Sequence, residues 1–339
     1  MQTIQLADLM RSEGVDVTLL QSNAPYRPAW AEKLWGVRAI FRLLPYLVQT
    51  WRLAGRVDVI HLMANSGWSW QLFAAPVLWL AWARRTPVIV NYRGGEARDY
   101  LTSSVRWVRP SMRKASSLIV PSTFLQEVFA EFDIAAHVIP NIVDLDTFQP
   151  GLRSEAGDPC TVVITRNLEA IYGIDAAIRA IHLVRQRYPQ VRLKIAGSGP
   201  QLGQLELMVQ ELGLDETVEF VGRLDRKGIV DLYRHADVML NPTRVDNMPN
   251  SVLEALACGL PVVSTHVGGV PYIVEDGETA LLVPPDDEDA MADALLKVLR
   301  DDELYSALRT RGQALVERYG WHRVKAQWLA LYKRHGLAT

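Results

Sequence analysis

Short apolar segments that alternate with helical segments constrain the possible folds of this chain most. In the first half the predicted strands are residues 15–20, 58–63, 87–92, 118–121 and 138–140. In the second half they are residues 161–165, 192–196, 218–221, 238–241, 261–265 and 280–283. Strands that alternate with helices predict parallel sheets with right-handed crossovers, which is the α/β fold class.

A polar break divides this pattern in two. Residues 153–159 are polar, contain Gly and Pro, and follow Pro150-Gly151. A chain of 339 residues is long enough for two domains. We therefore expect two Rossmann-like, doubly wound domains, residues 1–150 and 151–318, with ligands at the carboxyl ends of the strands.

The charge is spread unevenly along the chain. The net charge of −2 argues against a nucleic-acid partner, but residues 1–114 hold 15 Lys/Arg and 7 Asp/Glu, so they carry +8 and the remainder −10. The first half is also rich in tryptophan. Because aromatic and basic residues together suit a membrane–water interface, we expect peripheral contact with the inner membrane through the first domain. The alternative is buried tryptophans beside a solvated basic face.

Other bulk features favour a cytoplasmic protein. If the protein binds the membrane, we expect it on the cytoplasmic face. Cys160 and Cys258 match no metal or redox spacing, so a reducing compartment is the simplest interpretation. Residues 72–83 form the most apolar window, which is too short to span a bilayer. We interpret that window as a buried helix.

Residues 241–261, NPTRVDNMPNSVLEALACGLP, carry the clearest chemical pattern. Asp246 and Glu254 are separated by seven residues, and residues 251–257 are predicted to form a helix with Asn250 as its N-cap. Both carboxylates then lie near the helix N-terminus, where the N–H groups and the helix dipole favour a phosphate. The alternative is an ordinary amphipathic helix with two solvated acids.

This run resembles the Glu-x7-Glu signature of the retaining, GT-B-fold glycosyltransferases of family 4 (glycosyl transferases group 1). Asp246 stands where that family has its first Glu, and Gly259 and Pro261 continue the pattern. The resemblance implies that Glu254 binds the ribose of a nucleotide and that Asp246 touches the donor sugar. It further implies donor contacts from Asn247, Met248, Pro249 and Asn250, and phosphate contacts from the amides of Ser251, Val252 and Leu253.

The resemblance extends to a diphosphate clamp. Arg166 follows the strand 161–165, as an Arg does in the family, but Tyr172 stands where the family has Lys. Two cations are expected there because the leaving group gains negative charge as the glycosidic bond breaks. Arg223 and Arg244 are candidate substitutes, or else solvated surface arginines. Gly197 and the run Gly222-Arg223 resemble the family's loops around the nucleotide.

The first domain departs further from the family pattern. Arg93 follows the strand that ends at Tyr92, where family members commonly have a donor-contacting His, and Glu96 is a nearby carboxylate. His61 is interpreted as a core histidine. Family members begin with a strand and a Gly-Gly loop, whereas here the helix of residues 4–13 follows Met1 almost at once. From that pattern and from the strand–loop–helix unit that opens a doubly wound domain, we expect about twenty more residues, so either the sequence is truncated or the protein does without that loop.

Taken together, the resemblance implies a GT-B fold whose two domains face each other across a cleft, with residues 319–339 crossing back to the first domain. It implies retaining transfer of a hexosyl unit from a UDP- or GDP-sugar to a hydroxyl of a saccharide or lipid-linked acceptor, in cell-envelope or exopolysaccharide synthesis. Neither a metal nor a further cofactor is expected. The alternatives are a non-catalytic sugar-nucleotide-binding scaffold and a sugar-nucleotide epimerase.

Overall fold

A computed structural model describes residues 2–22, 38–151 and 159–336. The chain forms two compact units. The first comprises the residues up to Ile142 together with those from Val324 onward, and the second comprises Val143–Arg323.

The first unit is an α/β layer structure around a four-stranded parallel sheet. Its helices are α1 (Gln2–Ser12), α2 (Arg38–Leu53), α3 (Ala75–Ala83, entered through a π-helical turn at Trp70–Ala74), α4 (Ala97–Met112) and α5 (Thr123–Ala130). Its strands are β1 (Ile60–Ala64), β2 (Val88–Tyr92), β3 (Ser117–Val120) and β4 (His137–Val138). Ser122 caps α5, since its Oγ accepts from the backbone N–H of Leu125 at 3.4 Å.

The described strands of the first sheet run in the sequential order β1-β2-β3-β4. This order has no reversal, so the double winding expected for this unit is not found among its described strands. The predicted strand at residues 15–20 is also wrong, because the segment has no strand conformation and Leu19 is 41% exposed. A segment can be apolar enough for a strand, yet without a neighbouring strand it has no hydrogen-bond ladder to join.

The second unit is built on a six-stranded parallel sheet. Its strands are β5 (Thr161–Thr165), β6 (Arg192–Ala196), β7 (Val218–Gly222), β8 (Val238–Asn241), β9 (Val262–Thr265) and β10 (Leu281–Val283). Its helices are α6 (Ile174–Arg187), α7 (Leu202–Glu211), α8 (Arg226–Arg234), α9 (Asn250–Ala257), α10 (Glu288–Arg300) and α11 (Asp302–Val316). A last helix, α12 (Trp321–Arg334), follows and contributes most of its length to the first unit.

The strand order of the second sheet is β10-β9-β8-β5-β6-β7. The order reverses between β5 and β8, so this sheet is doubly wound. Successive residues of β5 enter two separate cores, with Val162 and Ile164 in one and Val163 in the other, because side chains alternate across a strand. In open α/β sheets ligands bind outside the carboxyl ends of the strands at such a switch point.

Helices cover both faces of the first sheet. Leu62, Val90 and Leu118 belong to the core shared with α3, α4 and α5. The alternate positions face the other way, and there His61 of β1 meets α12, with its ring 5.0 Å from that of Trp328. The final helix is thus part of the core of the first unit.

Candidate active site

Arg166 lies at the switch point of the second sheet, directly after β5. Its Nε donates to Oδ1 of Asn241 at 2.9 Å, at the end of β8. Asn241 in turn donates from Nδ2 to Oγ of Ser264 on β9 at 2.9 Å. Asn241 of β8 therefore fixes the guanidinium, and Ser264 of β9 fixes Asn241.

Asp246 forms an ion pair with the same guanidinium, through Arg166 Nη2 and Asp246 Oδ2. Each of the two side chains is only 13% exposed. An ion pair this far from water is screened less than a surface pair, so its geometry is held more strongly. The structure thus brings together two residues that the sequence analysis assigned separately to phosphate and to sugar.

The loop that carries Asp246 packs against Gly268 and Gly269. Gly269 donates its backbone N–H to the carbonyl of Asp246 at 2.9 Å. A Cβ on Gly269 would overlap the carbonyl oxygen of Asn247, and a Cβ on Gly268, whose φ is +51°, would overlap that of Asp246. Only glycine permits this approach, so the two glycines set the position of the acidic loop.

Helix α9 begins one residue earlier than predicted. Asn250 is its first helical residue and Pro249 is the cap, with φ −67° and ψ 109° and no side-chain hydrogen bond, so the predicted cap at Asn250 is wrong. A proline ring offers no acceptor, which leaves the N-terminus without a side-chain cap. Ser251, on the first turn, is 7% exposed, and its Oγ has no hydrogen-bond partner among the described residues. Val252 and Leu253 are buried.

Glu254 is partly buried on α9. Burial raises the pKa of its carboxyl from 4.5 to about 7, against the opposing charges of Arg226 and Arg166. At neutral pH the carboxyl group therefore exists in both protonation states and can donate as well as accept a hydrogen bond. The first turn of α9, which precedes Glu254, is fixed by Tyr233. The Tyr233 hydroxyl donates to the Ser251 carbonyl at 3.3 Å.

Arg226 is a cation near this site that the sequence analysis missed. Its Nη2 lies 2.6 Å from Oδ2 of Asp144, and its Nε is buried without a hydrogen-bond partner among the described residues. It opens α8 directly after the N-cap Asp225. Asp144 and Arg226 are 82 residues apart, so their pairing leaves no local signal in the sequence.

Tyr172 lies beside Arg166, in the position where the resemblance places a lysine. The Arg166 Cζ is 5.4 Å from the centroid of the Tyr172 ring. Burial raises the pKa of the Tyr172 hydroxyl. The phenol is therefore neutral and contributes a hydrogen-bond donor but no charge to the clamp.

The two proposed substitute cations have different surroundings. Arg244 is paired with two carboxylates, Asp286 at 2.7 Å and Asp175 at 2.9 Å. These two carboxylates compensate its positive charge. Arg223 is exposed after β7. The structure brings Gly197 and Gly222 together, since the Gly197 N–H donates to the Gly222 carbonyl at 2.9 Å and a Cβ on Gly197 would overlap the Arg166 carbonyl.

In the first unit, Arg93 is anchored at the carboxyl end of β2. Its Nη1 donates to Oδ1 of Asn141 at 2.5 Å, and its Nε donates to Oδ1 of Asn91 at 3.2 Å. This orients the Asn91 amide so that Nδ2 donates to His61 Nε2 at 3.1 Å. His61 must then carry its proton on Nδ1, which lies 2.5 Å from the hydroxyl of Tyr332 on α12.

His61 is neutral in this chain of hydrogen bonds. Burial and the charge of Arg93 lower the pKa of its imidazole to about 3. Burial also lowers the pKa of Arg93 to about 10, so Arg93 remains a cation at neutral pH. Glu96 is exposed at the start of α4 and caps it with no side-chain hydrogen bond.

Within residues 2–22, 38–151 and 159–336, no group of three or more His, Cys, Asp or Glu side chains is placed to hold a metal ion. No helix in that same part of the chain combines the length and the apolar character that crossing a membrane requires.

Comparison with protein-family models identifies the two halves of the chain. The model for glycosyltransferase family 4 matches residues 1–147, and the model for glycosyl transferases group 1 matches residues 150–315. The chain belongs to the family 4 glycosyltransferases. Enzymes of this family transfer a sugar from a nucleotide sugar, and this glycosyltransferase has two parallel-sheet α/β domains.

Two relatives and one solved structure illustrate the range of similarity. A D-inositol 3-phosphate glycosyltransferase of Corynebacterium jeikeium is 29% identical over 78% of this chain and 69% of its own length. A phosphatidyl-myo-inositol mannosyltransferase of Mycobacterium tuberculosis is 28% identical over 97% of this chain and 91% of its own. Anabaena HepE, crystallised with UDP and glucose, has a TM-score of 0.75 at 19% identity, covering 96% of this chain and 88% of HepE, which is a likeness of fold.

Proposed function

We propose that this glycosyltransferase transfers a hexosyl unit, with retention of anomeric configuration, from a UDP- or GDP-sugar to a hydroxyl of a saccharide or lipid-linked acceptor. The observation that carries the proposal is the position of Arg166. This cation lies at the switch point, between Asn241 and Asp246, beside an uncapped helix N-terminus. Those are the features that a nucleoside diphosphate donor requires.

The donor would be held from its phosphates to its ribose. The first turn of α9 offers backbone N–H groups and the unpartnered hydroxyl of Ser251 to phosphate oxygens. Glu254 would bind the ribose hydroxyls three residues further along the helix. The complex of Anabaena HepE with UDP and glucose favours UDP over GDP as the first nucleotide to test.

The chemistry would depend on stabilising the leaving group. Negative charge develops on the diphosphate as the glycosidic bond breaks, and Arg166 supplies the fixed positive charge that stabilises it. Asp246 is neutralised by its pairing with Arg166, which makes it a poor nucleophile for a covalent intermediate. Retention would then follow from attack on the same face of the anomeric carbon. The bond from that carbon to the phosphate oxygen breaks, the oxygen of the acceptor hydroxyl bonds to the carbon, and the leaving phosphate oxygen takes the proton of the hydroxyl.

The acceptor would bind the first unit, where Arg93 presents a fixed cation at the carboxyl end of β2. The two relatives are named for D-inositol 3-phosphate and phosphatidyl-myo-inositol, both of which are phosphorylated polyols. A cation anchored by two amides suits a phosphate of that kind. An acceptor carried on a lipid would place the enzyme at the cytoplasmic membrane face, in cell-envelope or exopolysaccharide synthesis.

Thermal unfolding with UDP, GDP, ADP and their hexose conjugates tests the donor site. A ligand that binds only the folded state raises the unfolding temperature. We expect stabilisation by one nucleotide family, lost in Glu254→Gln and kept in the control Glu211→Gln, which changes an exposed residue at the end of α7. Equal stabilisation of the wild type and Glu254→Gln would contradict the assignment of Glu254.

The alternative of a non-catalytic binding protein is favoured by one observation, the neutral Tyr172 beside Arg166. A measurement of turnover distinguishes this alternative from the transferase. Incubation with the stabilising donor and with inositol phosphate or phosphatidylinositol should release nucleoside diphosphate and form an α-linked product, detected by proton NMR. Nucleotide binding without turnover would favour the binding protein, and turnover with inverted configuration would remove the retaining mechanism.

A further inference from the structure

Helices α2 and α3 of the first unit present large apolar side chains to solvent. On α2, Leu44 is 60%, Val48 41% and Trp51 44% exposed, and on α3, Trp79 is 42% and Trp82 57% exposed. Isolated apolar residues on a surface are ordinary, but a contiguous patch marks an interaction site. We call these five side chains the α2–α3 face.

A cavity of about 420 Å³ lies within this face. Its lining is contributed by both helices and is apolar apart from one arginine: Leu47, Val48, Trp51, Arg52, Pro76, Trp79 and Leu80. Sites for polar small molecules combine apolar walls with several converging polar groups, and this lining does not. The cavity is therefore suited to a hydrocarbon chain.

Cations surround the α2–α3 face. The guanidinium of Arg84 lies 5.0 Å from the Trp51 ring centroid, and the ammonium of Lys114 lies 3.8 Å from that of Trp82 and 5.0 Å from that of Trp79. Residues 38–92 contain six arginines and one acid, Asp58. Tryptophan rings bordered by cations are the arrangement found where proteins meet the anionic headgroup region of a bilayer.

We propose that the α2–α3 face docks on an anionic lipid bilayer and that its cavity takes an acyl chain of an anionic glycerophospholipid. The apolar cavity receives hydrocarbon, while the tryptophans and arginines lie at headgroup depth. A second copy of the chain is a poorer occupant, because two such faces in contact would bring like charges together. This proposal rests on the proposed function, because it names the surface through which the enzyme would contact the membrane. The α2–α3 face contains none of the donor-site residues.

Vesicle co-sedimentation measures this binding without any glycosyl transfer. We expect the full chain to bind vesicles of phosphatidylglycerol and phosphatidylcholine in equal parts, to bind pure phosphatidylcholine at least tenfold more weakly, and to be released by salt. Phospholipids brominated on the acyl chain should quench its tryptophan fluorescence. Equal binding to both vesicle types, or binding without quenching, would overturn the proposal.

Three variants separate the cavity from surface charge and from misfolding. Leu44→Asp/Val48→Asp should lower vesicle binding at least tenfold, whereas the matched control Leu207→Asp, at a residue 60% exposed on α7, should not. Val48→Trp keeps the surface apolar but fills the cavity, so it should reduce quenching by bromines deep in the acyl chain. Circular dichroism and the nucleotide-induced thermal shift report whether each variant is folded.

Two outcomes would assign the face differently. Unchanged vesicle binding of folded Leu44→Asp/Val48→Asp would show that lipid binds elsewhere. Concentration-dependent dimerisation in sedimentation velocity, abolished by the same double variant, would assign the face to a second copy of the chain. Because these measurements omit sugar and nucleotide turnover, failure of the transferase assignment leaves them interpretable, and their failure leaves the donor site untouched.

Discussion

Arg166 and Asp246 form an ion pair in which each side chain is only 13% exposed, although 80 residues separate them in the chain. The pair joins the carboxyl end of β5 to the loop before α9. It therefore places a cation and a carboxylate side by side at the switch point of the second sheet, with Asn241 fixing the cation from β8.

Substitution of Arg166 separates the structural from the chemical role of this pair. Arg166→Gln should destabilise the fold by about 3 kcal/mol, because it leaves the Asp246 carboxylate buried and unpaired. It should also lower kcat by roughly 10²–10³-fold, the usual cost of removing one group that stabilises developing charge. Urea unfolding and steady-state kinetics measure the two effects.

The double variant Arg166→Gln/Asp246→Asn is the matched control. It removes both charges, so most of the lost stability should return while activity stays low. Recovery of activity together with stability would mean that the pair acts only as a structural contact.

Substitution of Tyr172 tests whether a second positive charge beside Arg166 strengthens diphosphate binding. Tyr172→Lys adds a positive charge beside Arg166 and should tighten nucleoside diphosphate binding roughly tenfold, or about 1.4 kcal/mol, with a steeper dependence on salt. Tyr172→Phe keeps the ring and should change affinity little. Calorimetric titration at two salt concentrations measures both variants, and weaker binding by Tyr172→Lys would place the phosphates away from this residue.

The raised pKa of Glu254 makes folding stability depend on pH. The folded carboxyl holds its proton up to about pH 7, whereas the unfolded one releases it near 4.5. Between these values the folded state binds more protons, so its stability falls as pH rises. The full difference is at most about 3 kcal/mol, less to the extent that water reaches the partly exposed carboxyl.

Glu254→Gln removes this titration. Measured by urea unfolding, the variant should therefore gain stability relative to wild type between pH 4.5 and pH 8. Parallel pH profiles for the two proteins would show that the pKa of Glu254 is ordinary.

Gly269 tests the placement of the acidic loop. In Gly269→Ala the added Cβ overlaps the Asn247 carbonyl, so the loop carrying Asp246 must move and nucleotide binding should weaken at least tenfold. Gly203→Ala, in α7, is the control, because its Cβ meets nothing within 4 Å and alanine favours a helix by up to about 1 kcal/mol. Normal nucleotide affinity in folded Gly269→Ala would show that the loop position is unimportant.

Tyr332 tests the hydrogen-bond chain that leads to Arg93. Tyr332→Phe leaves the Nδ1 proton of His61 without its partner, which should cost about 1–3 kcal/mol. Nitrogen-15 NMR of the imidazole should show Nδ1 protonated in the wild type and the ring neutral down to about pH 3. A proton on Nε2 in the wild type would contradict the described order of donors and acceptors.

The predictability of the second unit follows from its burial pattern. Strands β5 and β8 lie at their predicted bounds, because central parallel strands are covered on both faces and have largely continuous apolar sequences. Strand β6 also lies at its predicted bounds, although Arg192 and Lys194 interrupt its apolar residues. The acids at 246 and 254 were visible for a similar reason, since a short loop and one helix hold both. Local spacing carries that kind of information.

Contacts between distant segments could not be predicted from spacing. Arg244 was a candidate phosphate ligand, yet it pairs with Asp175 and Asp286, which are 69 and 42 residues away. Arg226 was missed because its partner Asp144 is distant in sequence. The double winding of the first sheet was expected from the alternation of strands and helices, but that alternation does not specify strand order.

The position of α12 has a consequence for biosynthesis. The second unit is continuous, Val143–Arg323, whereas the first needs residues from Val324 onward, including Trp328 and Tyr332, which cover His61. During translation, domains usually fold in order from the N-terminus. The sequence of the second unit is therefore complete before that of the first. We expect the His61 face of the first sheet to be covered only after α12 has been synthesised.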